Sequence, residues 1–457
     1  MVPALLLFGA ACNSDRLDVP PYNSPTPGTI AGDPSTGIPL AASGIINDDR
    51  LQWAAYVHDV SIFGREAYDY TATEAGLTSG FLQQNPLSPG FASTWTGRFA
   101  ERLDVKNFLT SVSGSSLSQQ SRNAAFGFAK TFDALTLHYL IETRFNLGVP
   151  VDINDNPREL APFVPRDSVF SYISTELDAA KASLAAGGSS FPFGFPPGFA
   201  GFDTPAGFLK FNRAIAARVY LERATLGSCA ACFQLALGAL SESFIATDGS
   251  LNGLDAGVYR TFSTATGDRQ NSIAVTTAPN FVAHVSFVAD SAEQRADGTP
   301  DLRYQRKIKI LATPRKAQNP TLGVTTPIQQ NVYPSATSPA PIVRNEELIL
   351  IRAEAKLGLG DNAGALADIN YIRTVSGGLP ASALTSASGK TAFITEILRQ
   401  RKWSLFMEGV RWFDVRRYDR LTDLPLDLPT HFRQVQMPIP LNECLARVGS
   451  TMPGPGC

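Results

Sequence analysis

Four histidines, His58, His138, His284 and His431, are the side chains best suited to proton transfer or metal ligation, and no two of them stand at metal-ligand spacing. Gly389, Lys390 and Thr391 would end a phosphate-binding loop only if position 384 were Gly; it is Leu384. No Gly-x-Ser-x-Gly elbow is present to expose a nucleophilic serine. Glu408, Arg411 and Asp414 recur at three-residue steps, so on a helix they share a face and can pair. Two carboxylates so placed could instead do the acid/base work of a glycosidase. Pairing is the simpler reading, with the adjacent Trp412 and Phe413 as core. The expectation is no enzyme, no metal and no cofactor.

The cysteines divide into Cys12, the pair Cys229 and Cys232, and the pair Cys444 and Cys457. In an exported chain an even remainder at short spacing favours two local disulfides. Zinc would need a second close pair or two histidines, and a redox Cys-x-x-Cys would follow a strand in a βαβ unit; here it falls between helical patterns. Upstream, residues 4–11 are apolar but far shorter than the roughly 20 residues of a membrane-spanning helix. With Gly9, Ala10 and Ala11 before Cys12, the segment resembles a bacterial lipobox. This predicts an export signal over residues 1–11, lipidation of Cys12, and a flexible tether over residues 12–39, rich in Pro, Ser, Thr and Gly.

Those groups must be held by the remaining 418 or so residues, and composition bounds how. Of the 457 residues, 39 are Lys or Arg and 41 Asp or Glu, a formal net charge of −2. Nucleic-acid binding through bulk positive charge is therefore excluded. Hydrophobic residues make up 44%, enough for a large core, while charged residues are 18% against a usual share of about 25%. Phe is unusually frequent, with 28 residues.

Apolar periodicity predicts helices over residues 41–63, 93–111, 121–143, 167–184, 208–226, 233–243, 348–358 and 391–407, with Asp361 capping another that ends at Gly377 and Gly378. The pair flanking Asp361 has the size of a tetratricopeptide-type unit, which buries its core only by stacking on others. Two long segments interrupt the helices, residues 189–205 with five Phe among Gly and Pro, and residues 246–341 with short strands near 281–288. The five Phe could form an exposed patch for a partner or fold back over a helix pair.

Glu396, Arg399, Glu408, Gly409, Arg411, Trp412, Phe413, Asp414, Arg416 and Arg417 closely resemble the signature of SusD/RagB-like outer-membrane nutrient-binding lipoproteins. Pro438, Ile439, Pro440 and Glu443 resemble that family's terminal segment, and Glu347, Leu348, Ala353, Glu354 and Ala355 with Ala365, Asn370, Ile372 and Arg373 its last repeat pair. Phe145, Gly148, Val149 and Pro150, the run 216–221, and Asp301 with Arg303 fit as well. The resemblance implies a mostly α fold, tetratricopeptide-like hairpins forming a right-handed superhelical frame with long insertions, in one domain over residues 40–457. It implies a non-catalytic lipoprotein of the outer membrane, facing the exterior, that captures oligosaccharide or peptide for a SusC-like TonB-dependent barrel. Asn13, Ser14 and Asp15 resemble the family's surface-export signal. A surface glycan hydrolase and a purely protein-binding scaffold are the competing readings. Ligand residues follow no family motif; loop position nominates Tyr68, Asp69, Tyr70, Trp95, Tyr304 and Tyr333, because sugars need flat aromatics with polar partners.

Overall fold

A computed structural model describes residues 25–71, 80–84, 87, 94–156, 159–317, 324–452 and 454–457. The export signal and Cys12 lie outside the described residues. The protein is mostly helical and tetratricopeptide-like. Its frame consists of α1 (Pro34–Phe63), α2 (Thr96–Gly114), α3 (Gln119–Arg144), α4 (Arg166–Ala185), α5 (Pro205–Thr225), α6 (Cys232–Ser241), α7 (Asn345–Gly358), α8 (Asn362–Val375), α9 (Lys390–Ser404) and the short α10 (Arg411–Arg417). Each of α1 to α5 packs on the next; α7 packs on α5, α6, α8 and α9, which joins the last repeat pair to the preceding ones.

The helical frame begins earlier than its periodicity suggests. A short helix, Pro27–Gly32, precedes α1 with Asp33 as the bend between them, so residues 27–32 and 34–39, placed in the tether by composition, belong to the helical frame. Thr26 and Thr29 form a reciprocal capping box, with Thr29 N donating to Thr26 Oγ1 at 3.3 Å and Thr26 N to Thr29 Oγ1 at 2.8 Å. Pro27 and Pro34 occupy first-turn positions, where a missing N–H costs nothing. Gly37 lets the two helices meet, since a Cβ there would lie 2.8 Å from Ile30 Cα. Along α1 the buried residues Ile38, Ala42, Ile45, Asp49, Trp53, Tyr56, Val60 and Phe63 keep three- and four-residue steps, giving one apolar stripe with a single carboxylate in it.

Six of the strands are β1 (Ala67–Asp69), β2 (Gly257–Arg260), β3 (Phe281–Ala283), β4 (Ile308–Lys316), β5 (Thr325–Gln330) and β6 (Ala340–Arg344), paired antiparallel as β1 with β3, β2 with β6 and β4 with β5. The described part of residues 246–341 is thus more regular than the sequence indicates. Most of β4 is exposed on both faces, so it lacks the alternation that reveals a half-buried strand.

The Phe-rich segment folds back over the helices. Phe191, Phe193 and Phe199 are buried and Phe195 half-buried, all packed around Phe128 and Phe132 of α3 and Phe208 of α5. Cys229 is joined to Cys232 and Cys444 to Cys457. None of the described helices is long and apolar enough to cross a membrane.

Candidate functional site

The six nominated residues do not converge on one surface. Tyr68 and Asp69 sit on β1, opposite Val282 and Phe281 of β3. Tyr68 is only 1% exposed, its ring stacked between Tyr70 at 5.4 Å and His284 at 4.4 Å. The Tyr70 hydroxyl donates to Val324 O at 3.1 Å. Tyr304 packs edge-on against Trp403 at 6.1 Å. Tyr333 is fully buried, 5.4 Å from Trp53, and donates to Met407 O at 2.9 Å. These tyrosines are packing residues, a correction to the loop-based assignment: Tyr68 is on a strand and Tyr304 on a short helix, and a large ring so placed is stabilised by taking its face out of water.

Asp69 has an electrostatic role instead. His58 on α1 is held between Asp59 and Asp69, Nδ1 to Asp59 Oδ1 and Nε2 to Asp69 Oδ2, both at 2.9 Å. Burial alone would push the imidazolium down, but the two carboxylates outweigh it and raise the group to about 9. With the folded value above the ordinary 6.5, this bridge contributes its full stabilisation below about pH 6.5 and loses it as pH rises toward 9. His58→Gln should therefore flatten the decline of the thermal midpoint between pH 6.5 and 9; an identical decline in both proteins would remove His58 as its source.

Trp95, also buried at 4%, borders a concave surface. Arg144 lies 5.1 Å over its ring, and Phe99 and Phe163 pack beside it at 4.7 and 6.0 Å. The groove, about 560 Å³, runs from Trp95, Phe99 and Leu103 on the α2 side to residues 152–156 and 159–161 and to Arg447 near the C-terminus. Its volume is within the about 300–1,000 Å³ of small-molecule sites. Asp152, Asn154 and Asn156 are exposed on its rim. Arg447 is fixed by Glu443 Oε1 at 2.7 Å and by Ala161 O at 2.9 Å. An apolar wall facing amides and carboxylates, with its cation already oriented, can hold a polyhydroxyl ligand by stacking and hydrogen bonding. The polar rim was missed in the sequence; the run Asp152 to Asn156 after Pro150 is the signal that marks it.

Among the described residues, chemistry of another kind is suggested by His138 and Glu142 on α3 with Glu222 on α5, whose ligand atoms lie within 4.8 Å of one another. The i, i+4 spacing of His138 and Glu142 was the available sequence signal. His138 Nε2 is 2.5 Å from Glu222 Oε2, and Arg416 Nη2 is 3.3 Å from Glu142 Oε2. Burial, then Glu222, push Glu142 up to about 7 despite Arg416. Guanidinium and imidazolium charges already occupy the place of a divalent cation, so the donor set fits an ion-pair cluster better than a metal.

The signature residues belong to the same buried electrostatics. Glu408, Arg411 and Asp414 do not pair with one another, contrary to their spacing: Glu408 lies in the break between α9, which ends at Ser404, and α10, which starts at Arg411, while Arg411 and Asp414 share α10 but turn to other partners. Between them Met407 and Gly409 take left-handed φ values of 62° and 78°. Met407 is held there by N–H donation to Glu66 Oε1 at 3.1 Å, and Gly409 because a Cβ would lie 2.9 Å from Tyr56 Cε1. Glu408 instead accepts from Arg344 Nη2 at 2.8 Å, Arg411 Nε donates to Gly64 O at 2.8 Å, and Asp414 binds Arg401 Nε at 2.7 Å and Arg417 Nη2 at 3.0 Å. Asp301 and Arg303 are 2.6 Å apart, and Arg303 Nη1 donates to Ser404 Oγ at 3.0 Å. Trp412 and Phe413 are core.

The family model described as SusD family matches residues 273–441. No curated protein matches the chain. Among solved structures, NanU of B. fragilis is similar at 15% identity, TM-score 0.64, over 96% of this chain and 100% of that one. A SusD superfamily protein from Parabacteroides distasonis aligns at 16% identity and TM-score 0.67 over 90% and 98% of the two chains. A laminarin-binding SusD-like protein aligns at 14% identity and TM-score 0.60 over 90% and 97%. With the family's sequence pattern over residues 273–441 and its fold along nearly the whole length, the chain is SusD/RagB-like.

Proposed function

We propose that this chain is a non-catalytic cell-surface lipoprotein, anchored through Cys12 to the outer membrane, that captures oligosaccharide and delivers it to a SusC-like TonB-dependent barrel. The observation that carries the reading is the SusD pattern joined to a fold shared with a structure described as laminarin-binding. The groove beside Trp95 supports it with the half-buried ring of Phe99, the exposed Leu103 and an amide rim. The disulfides and the capped helix pairs suit an exported chain that must keep its shape outside the cell.

A glycan and peptide array followed by calorimetry tests the function and the groove together. Asp152→Ala and Asn154→Ala, both on the exposed rim, should each weaken glycan affinity about tenfold, the loss of one or two hydrogen bonds, with the thermal midpoint of Asp152→Ala unmoved; Asn154 Nδ2 also donates to Glu159 O at 2.7 Å. Affinity unchanged in both variants would take the groove out of the reading; binding confined to peptides would change the cargo.

A further inference from the structure

A second cavity, about 390 Å³, opens between the first half of α1 and the Phe-rich segment. Its walls come from chain segments far apart: Ser43, Asn47 and Arg50 on α1, Gly194 and Phe195 in the loop, and Tyr259 on β2. The closure is built in. A Cβ at Gly198 would lie 1.9 Å from Tyr259 O, so only glycine lets the loop press against β2 and complete the wall.

The charges around it are spent within the fold. At the floor, Asp49 and Arg260 are each 2% exposed at their side chains and are joined at 2.7 and 2.8 Å, with Arg98 3.2 Å from the same carboxylate. Burial opposes the charge of Asp49, but Arg260 and then Arg98 hold its carboxyl below the usual range. On the wall, Arg50 donates to Thr261 O and to Asn47 Oδ1, both at 3.0 Å, and meets Asp268 at 2.7 Å, which pairs its charge and leaves its buried Nε–H as a single donor without a partner. A ligand with its own charge would find no unpaired counter-charge, and would lose hydration for nothing. What the cavity does offer is the Ser43 hydroxyl at its exposed edge, the Asn47 amide, and the half-buried rings of Phe195 and Tyr259. Hydroxyl-sized hydrogen bonding beside flat apolar faces suits a neutral sugar.

We infer that this cavity is a second carbohydrate subsite, separate from the Trp95 groove, which takes one or two neutral sugar units. It rests on the glycan-capture reading for the class of ligand and on its own geometry for the rest. Because Arg50 is fixed on three sides, the pocket is pre-organised and needs no closure to bind.

Gly194→Trp tests it cleanly. Gly194 is exposed at the mouth, a Cβ there meets nothing within 4 Å, and its φ is outside the left-handed region, so the indole is tolerated and blocks the entrance. Calorimetric titration of the full chain uses maltose, cellobiose and laminaribiose, with galacturonic acid as the charged control. At least one neutral disaccharide should bind, and Gly194→Trp and Asn47→Ala should each weaken it at least tenfold with the thermal midpoint of Gly194→Trp unchanged. Galacturonic acid binding more tightly, and lost in Gly194→Trp, would overturn the neutral class. If disaccharide affinity falls only in Asp152→Ala and Asn154→Ala, the subsite is wrong while glycan capture stands. If no sugar binds in these titrations or on the array, both are wrong.

Discussion

Glu354→Ala should lower the unfolding free energy by about 3–5 kcal/mol, the usual cost of removing one partner from a buried ion pair. The Glu354 side chain is fully buried on α7, and both oxygens are engaged: Oε1 accepts from Arg417 Nη2 at 2.9 Å and lies 3.3 Å from Arg401 Nη1, while Oε2 accepts from Arg417 Nη1 at 2.5 Å and Tyr418 Oη at 2.6 Å. Burial works against the charge of Arg417, yet Glu354, then Tyr418 and Asp414, hold it protonated far above its ordinary value. Without Glu354, Arg417 and Arg401 would share the single carboxylate of Asp414. Urea denaturation at neutral pH measures the loss. A change below about 1 kcal/mol would mean that water or rearrangement satisfies the two guanidiniums, contrary to the geometry.

The second large effect belongs to the aromatic cluster. Phe128→Ala should cost about 3–5 kcal/mol through lost burial and the cavity left behind. Its ring lies 4.9 Å from both Phe132 and Phe193, 5.7 Å from Phe208, 5.8 Å from Phe195 and 5.9 Å from Phe108, so one side chain ties α2, α3 and α5 to the loop over them. Hydrogen exchange should also quicken across residues 191–199, because the loop's buried face loses its central support. Phe202 is the contrast. It is half-buried and meets Phe244 at 5.0 Å at the edge of the cluster, so Phe202→Ala should cost markedly less. Equal losses for the two would show that the cluster has no centre.

The helical frame was legible because α1 to α9 repeat apolar residues at helical steps, and because caps such as Asp361, whose Oδ1 accepts from Gly364 N at 2.8 Å, are written locally. The C-terminal signature was legible as a pattern, but its internal geometry was not. Two left-handed residues, Met407 and Gly409, turned a plausible helical face into separate contacts, and only the packing of Glu66 and Tyr56 from other segments explains them. The candidate site was harder. Whether Tyr68 or Tyr333 faces water depends on β3, Trp53 and the turn at Met407, all remote in sequence. The second cavity was invisible for the same reason: Asn47, Phe195 and Tyr259 belong to three unrelated segments, none of which carries a motif.

The burial of so many arginines, among them Arg98, Arg218, Arg260, Arg303, Arg344, Arg401 and Arg417, bears on how this protein meets other molecules. Their charges, and those of Asp49, Glu347 and Glu354, are turned inward and cancel there, so a chain with few charges to begin with presents even fewer to solvent. Such a surface steers nothing over long distances. Encounter with a neutral ligand is then set by diffusion and orientation, its rate is indifferent to ionic strength, and discrimination falls to how slowly a well-fitted ligand leaves.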